Sequence, residues 1–579
     1  MKNPFEHATR YTESKKMFFV SQKESSIVSK VNKLDIVNTL VTLAKTVWIL
    51  EDNDPIDPTV QASLAKELIA RPWHIRASKL LEQGENFFFR PQIHIAMKYV
   101  AKYAERNSPT KPLTSSLMHK LGYVLFAITD LISKQSEMLN DEIEEEDLIK
   151  RLSIRLFTGE YFVYTRNPLL DIARIKLMFV YYHENFNLND TVDFVELDHY
   201  FKAATGLTIE KYLHIGFGFI VRLMEFRNLD SLLPDDKNFI IFQPKAYFNN
   251  TNISKDEVTK MFNFLSLSVE EVGSLIDIQT KREIAYDFLD FLSHPFIELN
   301  NGGIIPVSFY YAVERFTAGI YWIILDHLSQ TGQETEKQKF MRYNGFLFEQ
   351  LVADIAKELF NRIPDDAKSF YADEIYIRDG TEVKTSDVML VTKNDIVLLE
   401  ATAARISAKR TIVDGQEEAF FDDCEKIIFK KAKELDRCIK DLRNGKVTIS
   451  GKTIDGNKHI YPLIVVIEGF PQFPVINEFL NRELQEMGVF NDERIAQLGI
   501  LSADELTTVA RFRDIDILDL IKDWQSSKFF PGITLEDFLA GSTNLETKKE
   551  SEWWSKNVEQ IWNDVTMEIF GKPFTGLEN

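Results

Sequence analysis

Residues 386–402 have the sequence SDVMLVTKNDIVLLEAT and decide the fold of this chain. Two apolar runs, 388–391 and 396–399, are separated by a polar turn at Asn394. Short apolar runs bounded by turn residues are typical of buried β-strands. We therefore predict two neighbouring strands, at 386–392 and 395–401. Asp387 opens the first of them, and Glu400 closes the second.

Helical and extended patterns alternate around these two strands, between residues 340 and 502. In chain order they are a helix at 345–360, an extended run at 374–377, the two strands above, an amphipathic helix at 417–442, an apolar strand at 461–468, a helix at 475–487 and an apolar run at 498–501. Such alternation predicts an α/β domain with a central mixed sheet. We place its boundaries at about 336 and 510.

The remainder of the 579 residues is predominantly helical in pattern. A chain of this length is too long for one compact core. We predict a multidomain α and α/β protein: a mainly helical N-terminal domain at 1–240, an α+β connecting region at 241–335, the α/β domain at 336–510 and a helical C-terminal region at 511–579. Asn-Gly-Gly at 301–303 predicts a hairpin near 296–306. The polar stretch 330–339 is interpreted as a linker or exposed turn.

Charge and cysteine content restrict the functional classes. A formal net charge of −20 excludes a general nucleic-acid coat, because such proteins draw their affinity from Lys and Arg. Any nucleic-acid contact must be local, and residues 402–458 hold 13 Lys and Arg against 10 Asp and Glu. Only two cysteines, no signal pattern and no apolar run of membrane-spanning length predict a cytoplasmic protein that does not enter a membrane.

Three acidic residues lie where carboxylates could converge. Asp387 and Glu400 come from adjacent predicted strands and could meet at one end of the sheet. Glu349 flanks the apolar stripe of the preceding helix, which consists of Phe348, Val352, Ile355 and Leu359. Converging carboxylates can hold Mg²⁺ or Mn²⁺, which polarises a phosphate and activates water. Each acid alone is more often a solvent-facing side chain, so the prediction rests on the three together.

Three short segments carry a resemblance to a known family: GFLFE at 345–349, SDVML at 386–390 and LLEAT at 398–402. Their order, with the helices and strands between them, resembles the PD-(D/E)xK (restriction-endonuclease-like) nuclease superfamily over about residues 336–510. The resemblance implies a Mg²⁺- or Mn²⁺-dependent nuclease with Glu349, Asp387 and Glu400 as metal ligands. It implies DNA as the substrate. A large helical region fused to such a domain also resembles prokaryotic restriction and antiviral defence proteins.

One position departs from the family pattern. The family has Lys two residues after the second acid, and this chain has Thr402. Either catalysis has been lost or a lysine from elsewhere replaces it. Lys431 is the best candidate, since it falls within the apolar stripe formed by Phe420, Cys424, Ile428, Leu435, Cys438 and Leu442. It either reaches Glu400 and Asp387 or snorkels into solvent.

Other residues and other functions stay open at this point. Lys409 and Lys384 are weaker substitutes for the missing lysine, and Glu434 could supply a further polar group on the same helix. A second hypothesis is a catalytically inactive binding, assembly or regulatory subunit of a defence complex. A third is a regulator whose helical half holds an effector enzyme in check. Besides nucleic acid, a protein partner and a homo-oligomer are compatible with the sequence.

Overall fold

A computed structural model gives the fold of this chain. It describes residues 10–11, 14–18, 24–53, 57–106, 114–137, 168–186, 193–224, 241–281, 287–364, 368–414, 416–468, 470 and 474–572. The chain combines helices with several small mixed sheets, so the coarse prediction of an α and α/β protein is confirmed. None of the described helices is long and apolar enough to cross a bilayer.

The N-terminal half is a helical array. Its longer described helices are Glu24–Val31, Ile36–Asp52, Pro58–Leu68, His74–Glu82, Arg90–Tyr103, Ser115–Glu137, Pro168–Lys176, Leu197–Thr205 and Ile209–Met224. The helical patterns predicted at 34–50, 113–132 and 169–182 are therefore confirmed, the last with a π-helical end at Leu177–Tyr182. Short strands pair at Arg10–Tyr11 and Glu85–Asn86.

The connecting region combines short helices with a small sheet. Its helices are Lys255–Leu265, Val269–Lys281, Phe309–Phe316 and Gly319–Gln330, with short turns of helix at Pro244–Tyr247 and Leu289–Ser293. The predicted hairpin is present: Phe296–Glu298 pairs antiparallel with Ile304–Pro306, and Ser266–Ser268 adds a third strand. Gly302, at φ +73°, supplies the left-handed residue that the hairpin turn requires.

The linker or exposed turn predicted at 330–339 is limited to residues 331–333. One helix ends at Gln330, and the next, Glu334–Asn361, begins after three residues. Phe340 explains the difference, because it is fully buried and its ring stacks on Tyr321 with centroids 5.3 Å apart. Packing of this apolar side chain holds a polar segment in a helix.

We label the elements of the α/β part in chain order. They are α1 (Glu334–Asn361), β1 (Ser369–Ala372), β2 (Ile375–Arg378), β3 (Thr381–Lys384), β4 (Val388–Val391), β5 (Asp395–Thr402), α2 (Glu417–Cys424), α3 (Lys430–Arg443), β6 (Thr448–Ile449), β7 (Lys452–Thr453), β8 (His459–Val466), α4 (Pro474–Glu486) and β9 (Gly499–Ser502). A π turn, Glu425–Phe429, joins α2 to α3. Another π-helical segment, Ala408–Val413, follows β5.

The largest sheet among the described residues has the strand order β9-β8-β5-β4-β1. Strand β4 pairs antiparallel with both β1 and β5, whereas β5 pairs parallel with β8 and β8 pairs parallel with β9. All eight residues of β5 are buried, since this strand lies in the middle of the sheet. The predicted mixed sheet is present, with β5 as its central strand.

The extended run predicted at 374–377 does not belong to this sheet. It forms most of β2, which pairs with β3 in a separate hairpin, while β1 takes the edge of the main sheet. The physical reason lies in the side chains of β2. Ile375 and Ile377 are 55% and 59% exposed, and only Tyr376 between them is buried. One face of the hairpin therefore faces solvent.

Helical packing agrees with the predicted stripes. Every member of the stripe predicted along 417–442 is buried, and so are the four apolar residues of the stripe on α1. Cys424 and Cys438 are free thiols, as their separation along one helix requires.

The last part of the chain is helical and contacts the N-terminal half. Its helices include Ala503–Arg511, Ile517–Ser526, Leu535–Ser542 and Gln560–Phe570. The indole nitrogen of Trp562 donates to the carbonyl of Leu169 at 3.0 Å. The ring of Trp554 meets that of Trp562 edge-on at 5.8 Å. The hydrogen bond from Trp562 ties the end of the chain to a helix that lies 393 residues earlier.

The central strand should carry much of the stability of the α/β part. We expect Leu398→Ala in β5 to lower the free energy of unfolding by about 2–5 kcal/mol, because it leaves a cavity at a fully buried site. Ile377→Ala in the exposed hairpin is the matched control and should cost less than about 1 kcal/mol. Urea unfolding followed by tryptophan fluorescence measures both, and equal losses would contradict the assigned burial.

Candidate active site

The pairing of β4 with β5 brings Asp387 and Glu400 together. Val388 lies opposite Leu399 in antiparallel register. Continuing that register by one residue places Asp387, which immediately precedes β4, opposite Glu400. Directly opposite residues of antiparallel strands project their side chains from the same face. The two carboxylates therefore lie on one face and at one end of the sheet.

The carboxylate of Asp387 is fixed by the backbone of the neighbouring strand. Its Oδ2 accepts a hydrogen bond from the amide of Ala401 at 2.7 Å, and its side chain is 6% exposed. A buried carboxylate costs free energy unless hydrogen bonds or opposite charges compensate it. This amide supplies one such partner and sets the orientation of the carboxylate.

Lys431 of α3 points at the same place. Its Nζ lies 2.8 Å from Oε2 of Glu400, 3.9 Å from Oδ2 of Asp387 and 3.2 Å from Oε2 of Glu434. The side chain is 18% exposed, so it does not simply extend into solvent. The predicted proximity of Lys431 to Glu400 is confirmed, and the catalytic role of Lys431 stays a prediction.

A second lysine, Lys384 at the end of β3, organises the other side of Asp387. Its Nζ lies 2.8 Å from Oδ1 of Asp387, 2.7 Å from Oδ1 of Asp373 and 3.5 Å from Oε2 of Glu349. Glu349 projects from α1, as predicted, and is 30% exposed. Asp387 is therefore shared between two lysine-centred groups, one with Glu400 and one with Glu349.

Asp373 is a site residue that the sequence analysis missed. It follows β1 directly, adopts a left-handed φ of +54°, and its amide donates to the carbonyl of Asp387 at 3.1 Å. Asp is one of the few residues with a side chain that tolerate this conformation. An acidic residue directly after an edge strand could have indicated Asp373 as a candidate. The sequence analysis did not consider it because it did not predict strand β1.

The set of carboxylates close enough to share one metal ion differs from the predicted set of metal ligands. One oxygen each from Glu349, Asp373 and Asp387 lies within 4.8 Å of the other two, which is a spacing that one metal ion can bridge. Glu400, also predicted as a ligand, lies instead beside Lys431. An all-oxygen donor set suits a hard cation such as Mg²⁺ or Mn²⁺. The residues present therefore fit the metal that the resemblance implies.

Negative charge exceeds positive charge in this cluster. Its carboxylates are those of Glu349, Asp373, Asp387, Glu400 and Glu434, and its ammonium groups are those of Lys384 and Lys431. Five carboxylates against two lysines leave a formal balance of −3. A divalent cation would reduce this excess, which favours cation binding on electrostatic grounds alone.

Burial and neighbouring charges change the pKa values of the groups in this cluster. Burial raises the pKa of Glu349 to about 7, and the neighbouring Asp387 carboxylate adds to the shift. Burial, again with Asp387, raises the pKa of Glu400 to about 8 in spite of the Lys431 ammonium. Burial alone would lower the pKa of Lys431, but the Glu400 and Asp387 carboxylates outweigh it and raise that pKa above its ordinary value. Both lysines stay charged at neutral pH.

Lys409, the other substitute considered from sequence, is exposed in the π-helical segment after β5. No ion pair in the described part of the chain joins it to these carboxylates. Lys384, ranked with it as a weak substitute, is in contact with three of them.

Another acidic group with a histidine lies between the helices Ile209–Met224 and Gln560–Phe570. It consists of Glu210, His214 and Glu568. Lys176 lies 3.2 Å from Nε2 of His214 and 3.3 Å from Glu210, and Lys211 lies 2.5 Å from Glu568. Each carboxylate already has its own lysine, so this group acts as a structural connection between the two helices.

Comparison with protein-family models, curated proteins and solved structures finds no match to this chain. Any functional assignment therefore depends on the geometry and chemistry of the site itself.

The raised pKa of Glu400 predicts a pH dependence of stability. The folded chain keeps a proton that the unfolded chain releases above its ordinary pKa of 4.5, so folding stability should fall as pH rises from about 4.5 to about 8. Glu400→Gln removes the titrating group and should flatten this loss. Urea unfolding of the metal-free protein between about pH 4.5 and 8 measures this loss of stability. Glu382→Gln, at an exposed position on strand β3, is the control. An unchanged slope in Glu400→Gln would count against the assigned burial.

Proposed function

We propose that this chain is a metal-dependent nuclease that hydrolyses phosphodiester bonds of nucleic acid, with DNA as the expected substrate. The observation that carries the proposal is the convergence of Asp387 and Glu400 at one sheet end with Lys431, which arrives from a separate helix and lies 2.8 Å from Glu400. A buried arrangement of acids and a lysine with perturbed pKa values is typical of functional sites.

Glu349, Asp373 and Asp387 are the residues that would hold the cation. When bound there, Mg²⁺ or Mn²⁺ supplies Lewis-acid polarisation of a phosphate oxygen and lowers the pKa of water. The backbone amide of Ala401 keeps Asp387 in place for this role. Rigid placement matters because small displacements of catalytic groups reduce rates strongly.

Lys431 takes the role that the family assigns to the lysine missing at position 402. Residues two apart on a strand project from the same face, so the side chain of residue 402 and that of Glu400 share a face. Lys431 presents its ammonium to that face from α3. A charged group there can stabilise the negative charge that develops on a phosphate during hydrolysis.

Glu400 is suited to accept a proton from the attacking water. A general base works best when its pKa lies near the working pH. Burial raises the pKa of Glu400 to about 8, and the ammonium of Lys431 lies in hydrogen-bond contact with its carboxylate. In its deprotonated form Glu400 can therefore accept a proton beside the reacting phosphate, while the charged Lys431 ammonium holds its carboxylate in place.

Basic residues near the site offer contacts for a nucleic-acid backbone. Lys433, Arg437 and Lys440 lie along α3 and, with Arg378, line a cavity of about 530 Å³ that also contains Asp436 and Asp441, so four basic residues face two acidic ones. Phosphate contacts of this kind need Lys and Arg at a local surface even in an acidic protein. The fusion of a large helical half to such a site supports a place in prokaryotic restriction or antiviral defence, by analogy of architecture.

A second candidate function is a catalytically inactive binding, assembly or regulatory subunit of a defence complex. Thr402 in place of the motif lysine favours it. Such a subunit would bind nucleic acid or a partner protein without cleaving any substrate in the presence of Mg²⁺ or Mn²⁺.

Removal of either key side chain should abolish cleavage. We expect Asp387→Ala and Lys431→Ala to reduce Mg²⁺-dependent cleavage of plasmid DNA by at least about 100-fold, because each removes a charge that acts in the transition state. Lys430→Ala, an exposed lysine that immediately precedes Lys431 on α3, is the matched control. Circular dichroism and thermal unfolding establish that the variants fold. Full activity in Asp387→Ala would contradict the assigned site, whereas inactivity of the unaltered protein with Mg²⁺ and Mn²⁺ on every DNA form would favour the second candidate.

Restoring a lysine at the family position tests the replacement idea separately. In the double variant Lys431→Ala, Thr402→Lys, we expect at least part of the lost cleavage rate to return, since the new ammonium would emerge from the same face as Glu400. The single variant Thr402→Lys controls for effects of the substitution itself. A folded double variant as inactive as Lys431→Ala would contradict the equivalence of the two positions.

A further inference from the structure

Lys384 lies where a cation would bind. Its ammonium is within 3.5 Å of Glu349, Asp373 and Asp387, the same three residues whose oxygens are spaced to share one metal ion. A lysine ammonium and a divalent cation need the same carboxylate oxygens and repel each other. The two cannot occupy the centre of this group together.

We propose that Lys384 is a tethered cation that occupies the metal position of the metal-free protein and must withdraw before a divalent ion binds. This inference rests on the proposed function, because it assumes that the three carboxylates are the metal ligands. In this view Lys384 competes with the metal and lowers the affinity of the site for it. When no metal is bound, the Lys384 ammonium balances the negative charge of the carboxylates.

The structure allows the side chain to withdraw without moving the backbone. The carbonyl of Lys384 accepts a hydrogen bond from Arg437 at 3.3 Å, and the amide of Thr385 donates to the carbonyl of Glu374 at 2.8 Å. Tyr376 anchors the hairpin by donating its hydroxyl to Asp441 on α3. The Lys384 side chain, by contrast, is 41% exposed, so its ammonium can move into solvent by rotation of its own bonds.

Lys431 is unsuited to the same exchange. Its side chain is 18% exposed, against 41% for Lys384. Its two nearest partners, Glu400 and Glu434, are outside the group that can share one ion, and its Nζ lies 3.9 Å from Oδ2 of Asp387. The two lysines therefore have different roles: Lys431 remains in the site, and Lys384 gives way to the metal.

Calorimetric titration with Mn²⁺ tests the proposal on the full-length protein. We expect Lys384→Met to bind Mn²⁺ about tenfold more tightly than the unaltered protein, within the usual range for coupled binding events. The matched control is Lys446→Met: Lys446 is 40% exposed and lies 3.2 Å from Asp379 in the turn of the same hairpin. The affinity of the Lys446→Met variant for Mn²⁺ should equal that of the unaltered protein.

A second measurement guards against a folding defect. Without metal, Lys384→Met should unfold at a lower temperature than the unaltered protein, because three carboxylates lose their counter-ion. Saturating Mn²⁺ should raise its unfolding temperature by more than it raises that of the unaltered protein. If the Met variant does not fold, Lys384→Gln, which keeps a neutral donor, gives the same comparison.

The outcomes separate this inference from the proposed function. Equal or weaker Mn²⁺ binding by a folded Lys384 variant would overturn the competitor role, while cleavage by the unaltered protein would leave the nuclease proposal standing. Absence of Mn²⁺ binding by every variant would overturn both the ligand assignment and the competitor role. Tighter binding by Lys384→Met alone supports the exchange.

Discussion

The structure around the candidate site depends on one electrostatic constraint: carboxylates held together at the end of a sheet must be compensated. Asp387 and Glu400 are almost fully buried, and uncompensated buried charge is expensive. The amide of Ala401 and the ammonium groups of Lys384 and Lys431 each reduce that cost. Compensation is incomplete, and burial together with the neighbouring Asp387 carboxylate raises the pKa of Glu349 and Glu400. The divalent cation proposed for this site would compensate the remaining negative charge.

The helical half of the chain fixes the end of the sheet that carries the site. Arg174, from the helix Pro168–Lys176, donates to the carbonyl of Ile467 at 2.9 Å, just beyond β8. Arg405, just beyond β5, pairs with Glu468 at 2.6 Å and lies 3.8 Å from the ring centroid of Tyr321. These buried contacts link the carboxyl ends of the two central strands to helices far away in sequence. A structural change in the helical half would therefore reach the strand ends directly.

Sequence reasoning located the parts of the site that local pattern encodes. Asp387 and Glu400 were found because each borders an apolar run in a buried strand, and Lys431 because a charged residue interrupts a buried helical stripe. Asp373 was missed, and Lys384 was named only as a weaker substitute for the missing lysine. Asp373 follows a half-buried edge strand whose pattern is weak, and the position of Lys384 depends on a hairpin packed outside the main sheet. Polar residues 334–339 were misassigned because the burial of Phe340, which holds them in a helix, is a tertiary effect.

The central claim is that these carboxylates bind a divalent ion beside Lys431. Anomalous diffraction from a crystal of the protein soaked in Mn²⁺ tests it most directly, because the signal locates the metal without reference to activity. We predict an anomalous peak bound by oxygens of Glu349, Asp373 and Asp387, with the Lys384 ammonium turned away from it. Well-ordered carboxylates with no peak between them at saturating Mn²⁺, and Lys384 still among them, would contradict the account.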